Sequence, residues 1–226
     1  LNVVEDDLVS GSITLDNHGN RYTAKQRSTV KIDVNNPSKI GDKLSITKTF
    51  NTGEKFDFSQ FDYEVPLGQS GLKAFASASR LEFEIGKELK TNPVSLGNAD
   101  TYEVGIKYPI QRTNNQSVFL RTSIEKKEIY NETTGVLTND KTLENAKIGF
   151  DFEGKNIFQE SSLTGVSVSG IFGDLDLSKV NSDYLNDQRA NGPKTHGDFN
   201  KVVLDFYHIH KFTDKINFKY YGSLQH

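Results

Sequence analysis

Cysteine is absent from the 226 residues, which removes disulfide frameworks, thiolate metal sites and cysteine nucleophiles together and leaves the compartment open. Also missing are any run of about 18 apolar residues and any basic-then-apolar leader, so neither a membrane-spanning helix nor a signal peptide can be read. Leu1 stands where a start methionine would, and the expectation is a segment cut from a longer chain. Charge of one sign is scarce as well. The net charge is −3 and Lys and Arg are dispersed, so a nucleic-acid partner gets no electrostatic support. Gly-Xaa-Ser-Xaa-Gly, His-Glu-Xaa-Xaa-His and glycine-rich phosphate loops do not occur, and Ser, His and Asp follow no triad order. No catalytic residue, no cofactor site and no enzymatic reaction is expected. His208 and His210 lie two apart on one strand face with Asp205 on the other, and without a third ligand they read as interfacial side chains and not as a metal site. Asp174 and Asp176 open a long loop and read as solvated carboxylates before they read as calcium ligands.

What is present is alternation. A mean hydropathy of −0.57 would suggest a water-soluble protein, but a membrane barrel hides its apolar half in a period of two, so the average misses it. Residues 9–17 set Val9, Gly11, Ile13 and Leu15 against Ser10, Ser12, Thr14 and Asp16, the pattern of a strand with one apolar and one polar face. The same template recurs over 25–34, 43–51, 56–65, 72–84, 101–111, 117–129, 145–155, 163–173, 198–212 and 216–225, about eleven strands of about ten residues each. Turn signals separate them, among them His18-Gly19-Asn20, Asn35-Asn36-Pro37, Asn51-Thr52-Gly53 and Thr213-Asp214-Lys215, where glycine, asparagine and proline supply turn geometry or interrupt a ladder. Over 72–84, Phe75, Leu81 and Phe83 share one face and Ala74, Ala76 and Ala78 the other. Short turns alternate with longer polar stretches, 86–98, 131–144 and 174–197, the last with a short helix near 182–190. Outer-membrane barrels show this asymmetry.

The strands are longer than the five or six residues usual in soluble sheets, and their polar row is heavily charged. Lys31, Asp33, Glu103, Lys107, Arg121, Glu125, Lys147, Asp151 and Glu153 fall on it. A filled core would exclude such a row, whereas a wet lumen accommodates it. The expected fold is therefore all-β, an antiparallel transmembrane β-barrel segment. The competing expectation is a soluble β-sandwich binding or adhesion module, whose strands also alternate. Detergent dependence separates the two.

Four stretches, in order, resemble a known family. Leu15-Asp16-Asn17-His18-Gly19-Asn20-Arg21-Tyr22-Thr23 resembles the opening of the barrel in the hemolysin secretion and activation family, the outer-membrane transporters of two-partner secretion. Asn35-Asn36-Pro37-Ser38-Lys39-Ile40-Gly41-Asp42-Lys43-Leu44 looks like that family's second turn, Tyr63-Glu64-Val65-Pro66-Leu67-Gly68 like its fourth strand end, and Gly71-Leu72 like the start of its fifth. The motifs cover residues 9–85 and the strand pattern covers the rest. The resemblance implies that residues 1–226 are the N-terminal part of a single sixteen-stranded barrel, strands one to eleven. The family's plug helix, its two periplasmic polypeptide-transport-associated domains and its Val-Arg-Gly-Tyr loop element then lie outside this sequence. It implies a pore in the bacterial outer membrane that secretes and activates a partner exoprotein of hemolysin or adhesin type. The partners are that unfolded exoprotein and outer-membrane lipid, with no nucleotide and no covalent step. Within the motifs, Asp16, Asn17, Gly19, Asn36, Pro37, Gly41, Asp42, Pro66 and Gly68 read as fold determinants of turns and not as client contacts. Lys31, Asp33, Lys107, Arg121, Glu125 and Asp151 are expected to face the lumen, where dispersed charge keeps the path wet.

Overall fold

The computed structural model describes residues 7–51, 53, 55–213 and 215–226; Thr52 and Asp214, placed in turns above, lie outside them. The strands are β1 (Val9–Asp16), β2 (Arg27–Asn35), β3 (Lys43–Phe50), β4 (Phe56–Pro66), β5 (Lys73–Glu84), β6 (Leu96–Arg112), β7 (Gln116–Thr133), β8 (Val136–Lys155), β9 (Ser162–Asp176), β10 (Gly197–Lys211) and β11 (Asn217–Gln225). Among the described residues one α-helix, α1 (Asn181–Gln188), lies between β9 and β10, and a 3-10 turn, Lys87–Leu89, between β5 and β6. All eleven strands form one sheet in chain order, each antiparallel to the next. The alternating sequence thus becomes a meander, and its two-residue period commits every second side chain to the same face from end to end.

Connections at one end of the sheet run over 17–26, 51–55, 85–95, 134–135 and 177–196, and at the other over 36–42, 67–72, 113–115, 156–161 and 212–216. The expected asymmetry is there with two exceptions, 51–55, which is as short as the connections at the other end, and 134–135. Residues 131–144 are not a polar loop: β7 and β8 extend as a hairpin, with Asn131 opposite Asn139, to a turn at Thr134 (φ 52°) and Gly135 (φ 77°). Two consecutive positive-φ residues match the right-handed strand twist. The segment reads as loop because both its faces are polar, so no apolar period marks it. For the same reason β6 begins at Leu96, ahead of the apolar alternation.

Polarity is distributed inside out. Among the described residues the buried apolar side chains are Ala24, Leu177 and Val180, all in connections. The apolar strand row is exposed instead, from Leu15 (76%) on β1 through Ile124 (64%) on β7 to Leu224 (68%) on β11. A soluble sandwich buries this row against a second sheet, and the described strands form no second sheet. An exposed apolar belt of this extent requires a non-aqueous neighbour.

The belt is inclined to the hydrogen-bonded rows. One such row starts at apolar Ile13 and Val30, then passes through Lys48, Ser59, Arg80, Asp100 and Glu128. Moving across the sheet therefore shifts the apolar stretch along each strand, as tilted strands in a barrel wall demand. On β4 and β5 the polarity inverts above the belt. Asp57, Ser59, Arg80 and Glu82 lie on the belt side, and Phe56, Phe58, Leu81 and Phe83 on the other. The register also decides which face of β5 is which, since Ala74, Ala76 and Ala78 pair with Val65, Tyr63 and Phe61 on the belt side.

Aromatic rings locked over glycines fix this register. Phe83 lies over Gly97, Phe75 over Gly105, Phe199 over Gly173, Tyr207 over Gly165 and Phe206 over Gly222, each pair being direct cross-strand partners. A Cβ at Gly165 would stand 2.2 Å from the Tyr207 ring. Glycine is required there by the close approach, and the ring recovers the packing that glycine lacks.

Candidate pore wall and its turns

The face opposite the belt is a lattice of paired charges. Asp33 receives the Ser45 hydroxyl and lies 3.2 Å from Lys31 Nζ and 3.8 Å from Lys43 Nζ. Lys147 Nζ bridges Glu125 at 2.5 Å and Glu103 at 3.6 Å, and Asn145 and Ser123 donate to the same two carboxylates at 2.8 and 2.6 Å. Arg121 approaches Asp151 at 3.9 Å while Ser167 donates to Asp151 at 2.7 Å. Lys73 holds Glu64 at 2.6 Å, and Lys107 Nζ sits 4.2 Å from the Phe119 ring centre, a cation–π contact. Register rows bring these groups together, since Lys107 pairs with Arg121, and Asp151 with both Phe119 and Ser167. Lys31, Asp33, Lys107, Arg121, Glu125 and Asp151 therefore share one face, although they form no single cluster. Each cross-strand pair of opposite charge contributes about 0.2–1 kcal/mol. The face also carries Phe75, Phe119, Phe199 and Tyr207, which the charge pattern alone does not disclose.

Two of the sequence motifs meet in space. In the turn 36–42 the Asn36 side-chain carbonyl accepts from Gly41 N at 2.6 Å, the Asp42 carbonyl accepts from Asn36 N at 2.7 Å, and the Asp42 carboxylate accepts from Ser38 N at 3.1 Å. Asn36 (φ 58°) and Gly41 (φ 85°) supply the left-handed backbone the turn needs. From β4, the Tyr63 hydroxyl donates to Asp42 at 2.8 Å, and a Cβ at Gly41 would lie 3.5 Å from Pro66. Burial works to raise the Asp42 pKa, but the bonds from Tyr63 and Ser38 outweigh it and hold the carboxyl below its ordinary value. At the other end Asp16 accepts from His18 N at 3.0 Å, Gly19 N reaches Lys25 O at 3.1 Å, and Gly86 N bonds Tyr22 O at 2.7 Å. Gly68 (φ 72°) closes the β4–β5 turn after Pro66.

The longest connection folds around Asp187, which is 4% exposed. Its carboxylate accepts from Thr195 N at 2.9 Å, Thr195 Oγ1 at 2.6 Å and His196 N at 3.1 Å. Burial alone would raise its pKa; these bonds push it well below the carboxylate range instead. Asp183 of α1 faces Lys141 of β8 at 3.6 Å and Lys179 faces Asp140 at 3.0 Å, so the connection is tied to the extended β7–β8 hairpin. No sequence motif announces this cage, because Asp187 and Thr195 are eight residues apart in a polar stretch. His208 and His210 fall on the belt side, His208 Nδ1 lying 2.9 Å from the Thr164 hydroxyl and its ring 6.2 Å from Tyr220. Among the described residues no three His, Asp or Glu side chains are placed to hold a metal ion. Among the described residues no helix is long and apolar enough to cross a membrane, a statement that does not bear on strands.

The whole chain, residues 1–226, matches the family model described as haemolysin secretion/activation protein ShlB/FhaC/HecB. The heme/hemopexin transporter protein HuxB of Haemophilus influenzae strain 86-028NP is 23% identical over 188 residues, 83% of this chain and 33% of that protein. HuxB of strain KW20/Rd is 22% identical over 74% of this chain and 29% of its own length. The chain thus spans about a third of the curated relatives it matches. Among solved structures, CdiB from Escherichia coli superposes over 99% of this chain and 41% of its own with a TM-score of 0.79 at 16% identity. CdiB from Acinetobacter baumannii does so over 97% and 49% with a TM-score of 0.60 at 12% identity.

Proposed function

We propose a secretion function on one premise: this chain belongs to the haemolysin secretion/activation family. The fold is that of a transmembrane β-barrel wall, the family is one of transport proteins and not of enzymes, and its setting is the Gram-negative outer membrane. In this reading residues 1–226 are the first eleven strands of a single barrel. The intact protein forms a pore that exports and activates a partner exoprotein of hemolysin or adhesin type, threaded unfolded. The observation that carries the reading is the inside-out sheet, an exposed apolar row backed by a row of charges that pair with one another.

The belt then faces outer-membrane lipid, and Lys31, Asp33, Lys107, Arg121, Glu125 and Asp151 face the lumen. Because these charges are mutually compensated, the wall holds water and offers an extended polypeptide many weak contacts and no deep trap, which is what conduction requires. The turn residues Asn36, Gly41, Asp42, Pro66 and Gly68 act through the fold. The test is co-expression of the intact transporter with its exoprotein in a Gram-negative host. The expected result is exoprotein in the medium with the transporter and in the periplasm without it; equal secretion in both strains would overturn the assignment.

A further inference from the structure

The lipid-facing row of β10 is interrupted near its short-turn end. Phe206 is followed on that face by His208 and His210 before Phe212 restores an apolar side chain. Their partners on β9 are polar too, since His208 pairs with Thr164 and His210 with Ser162, both buried. Aromatic rings frame this polar island. Tyr220 and Phe218 are the partners on β11, Phe158 of the turn 156–161 meets the His208 ring at 5.9 Å, and Phe212 meets the His210 ring at 6.4 Å. Phe158 is 75% exposed, so the frame opens toward the membrane. Ionisable side chains on a lipid-facing wall are costly and are kept where they serve a contact.

The hydroxyls of the island are satisfied within the protein, and its imidazoles are not. Ser162 Oγ donates to Gln159 O at 2.5 Å, and the Thr164 hydroxyl lies 2.9 Å from His208 Nδ1. His210 Nδ1 is buried without a hydrogen-bond partner, and among the described residues neither ring's Nε2 has one. A ring N–H left in a non-aqueous layer must take its acceptor from that layer. The island lies at the end of the short connections, which is the periplasmic side of such a wall, and the acceptors there are the oxygens of phospholipid headgroups. Residues two apart on a strand are separated by about 6.7 Å, a span that one phosphate bridges by accepting a bond of about 2.9 Å from each ring. We propose that His208 and His210 seat the phosphodiester of one periplasmic-leaflet phospholipid, whose acyl chains rest against Phe158, Tyr220 and Phe218. The inference rests on the assignment of this face to lipid.

The test uses the intact transporter, its histidine rings isotope-labelled, in vesicles of mixed ethanolamine and glycerol phospholipids, and reads phosphorus-to-nitrogen dipolar dephasing by solid-state NMR. Two ring signals are expected to dephase, and His208→Phe and His210→Phe are each expected to remove one of them in barrels that remain heat-modifiable. The combined His208→Asn and His210→Asn variant keeps the island polar and is expected to lose both. Ring signals that keep full intensity in the parent protein, dephasing that survives the combined variant, or dephasing that a metal chelator abolishes would overturn the proposal. A label on Ile148→Cys, in the middle of the belt, separates the two levels. A lipid-accessible label with undephased rings refutes the seat alone, and an inaccessible label refutes the assignment of the face.

Discussion

Replacing Ile148 with lysine tests the inside-out sheet energetically. Ile148 is 46% exposed in the middle of the β8 belt, flanked in register by Thr122 and Gly170, with no carboxylate in its row on either side. If water bathed this face, a half-exposed isoleucine exchanged for lysine would change stability by about 0.5 kcal/mol or less. In a bilayer the same lysine near the midplane costs about 2–4 kcal/mol, which at 1.4 kcal/mol per decade is roughly a 30- to 700-fold loss in the folding equilibrium. Ser79→Lys is the control, because Ser79 lies on the opposite face between Gln60 and Thr101, where a lumenal lysine stays hydrated. Reversible urea unfolding of the intact protein in lipid vesicles, read by the heat-modifiable band on gels, measures both. Ile148→Lys within 0.5 kcal/mol of the parent, or Ser79→Lys costing more than Ile148→Lys, would refute the reasoning.

Gly165→Val should cost about 1–3 kcal/mol by the same assay, because its side chain meets the Tyr207 ring, and Tyr207→Ala should recover part of that loss in the double variant. Tyr63→Phe removes the donor to Asp42, so it should slow barrel assembly while leaving secretion per folded molecule unchanged. The Asp187 carboxyl sits below its unfolded value, so its contribution is complete above about pH 4 and falls away as pH drops through the folded value. Protease nicking within 177–196 should stay slow at neutral pH and rise only in strong acid, whereas Asp187→Asn should be nicked readily at pH 7.

Most of the meander was legible because its information lies in a two-residue period. The eleven strands follow from alternation and turn chemistry, and their order in the sheet is the order in the chain. The belt's upper border was not legible. On 131–144 both faces turn polar where no lipid is met, so a hairpin reads as loop. On β4 and β5 the apolar row changes sides, and only the pairing of Phe61 with Ala78 shows which face the alanines share. The charges of the polar face were visible singly, but their partners were not. Glu103, Glu125 and Lys147 come together only through register. The Asp187 cage was hidden for the opposite reason, since its bonds are irregular and local and no period points to them.

Site-specific cross-linking to a stalled client tests the central claim most directly. Photoreactive probes are placed on Arg121→Cys and Asp151→Cys on the charged face and on Ile148→Cys in the belt, and an exoprotein arrested by a folded C-terminal fusion occupies the intact transporter. The account predicts client adducts at 121 and 151 and none at 148. Adducts at 148 with none at 121 and 151 would contradict it.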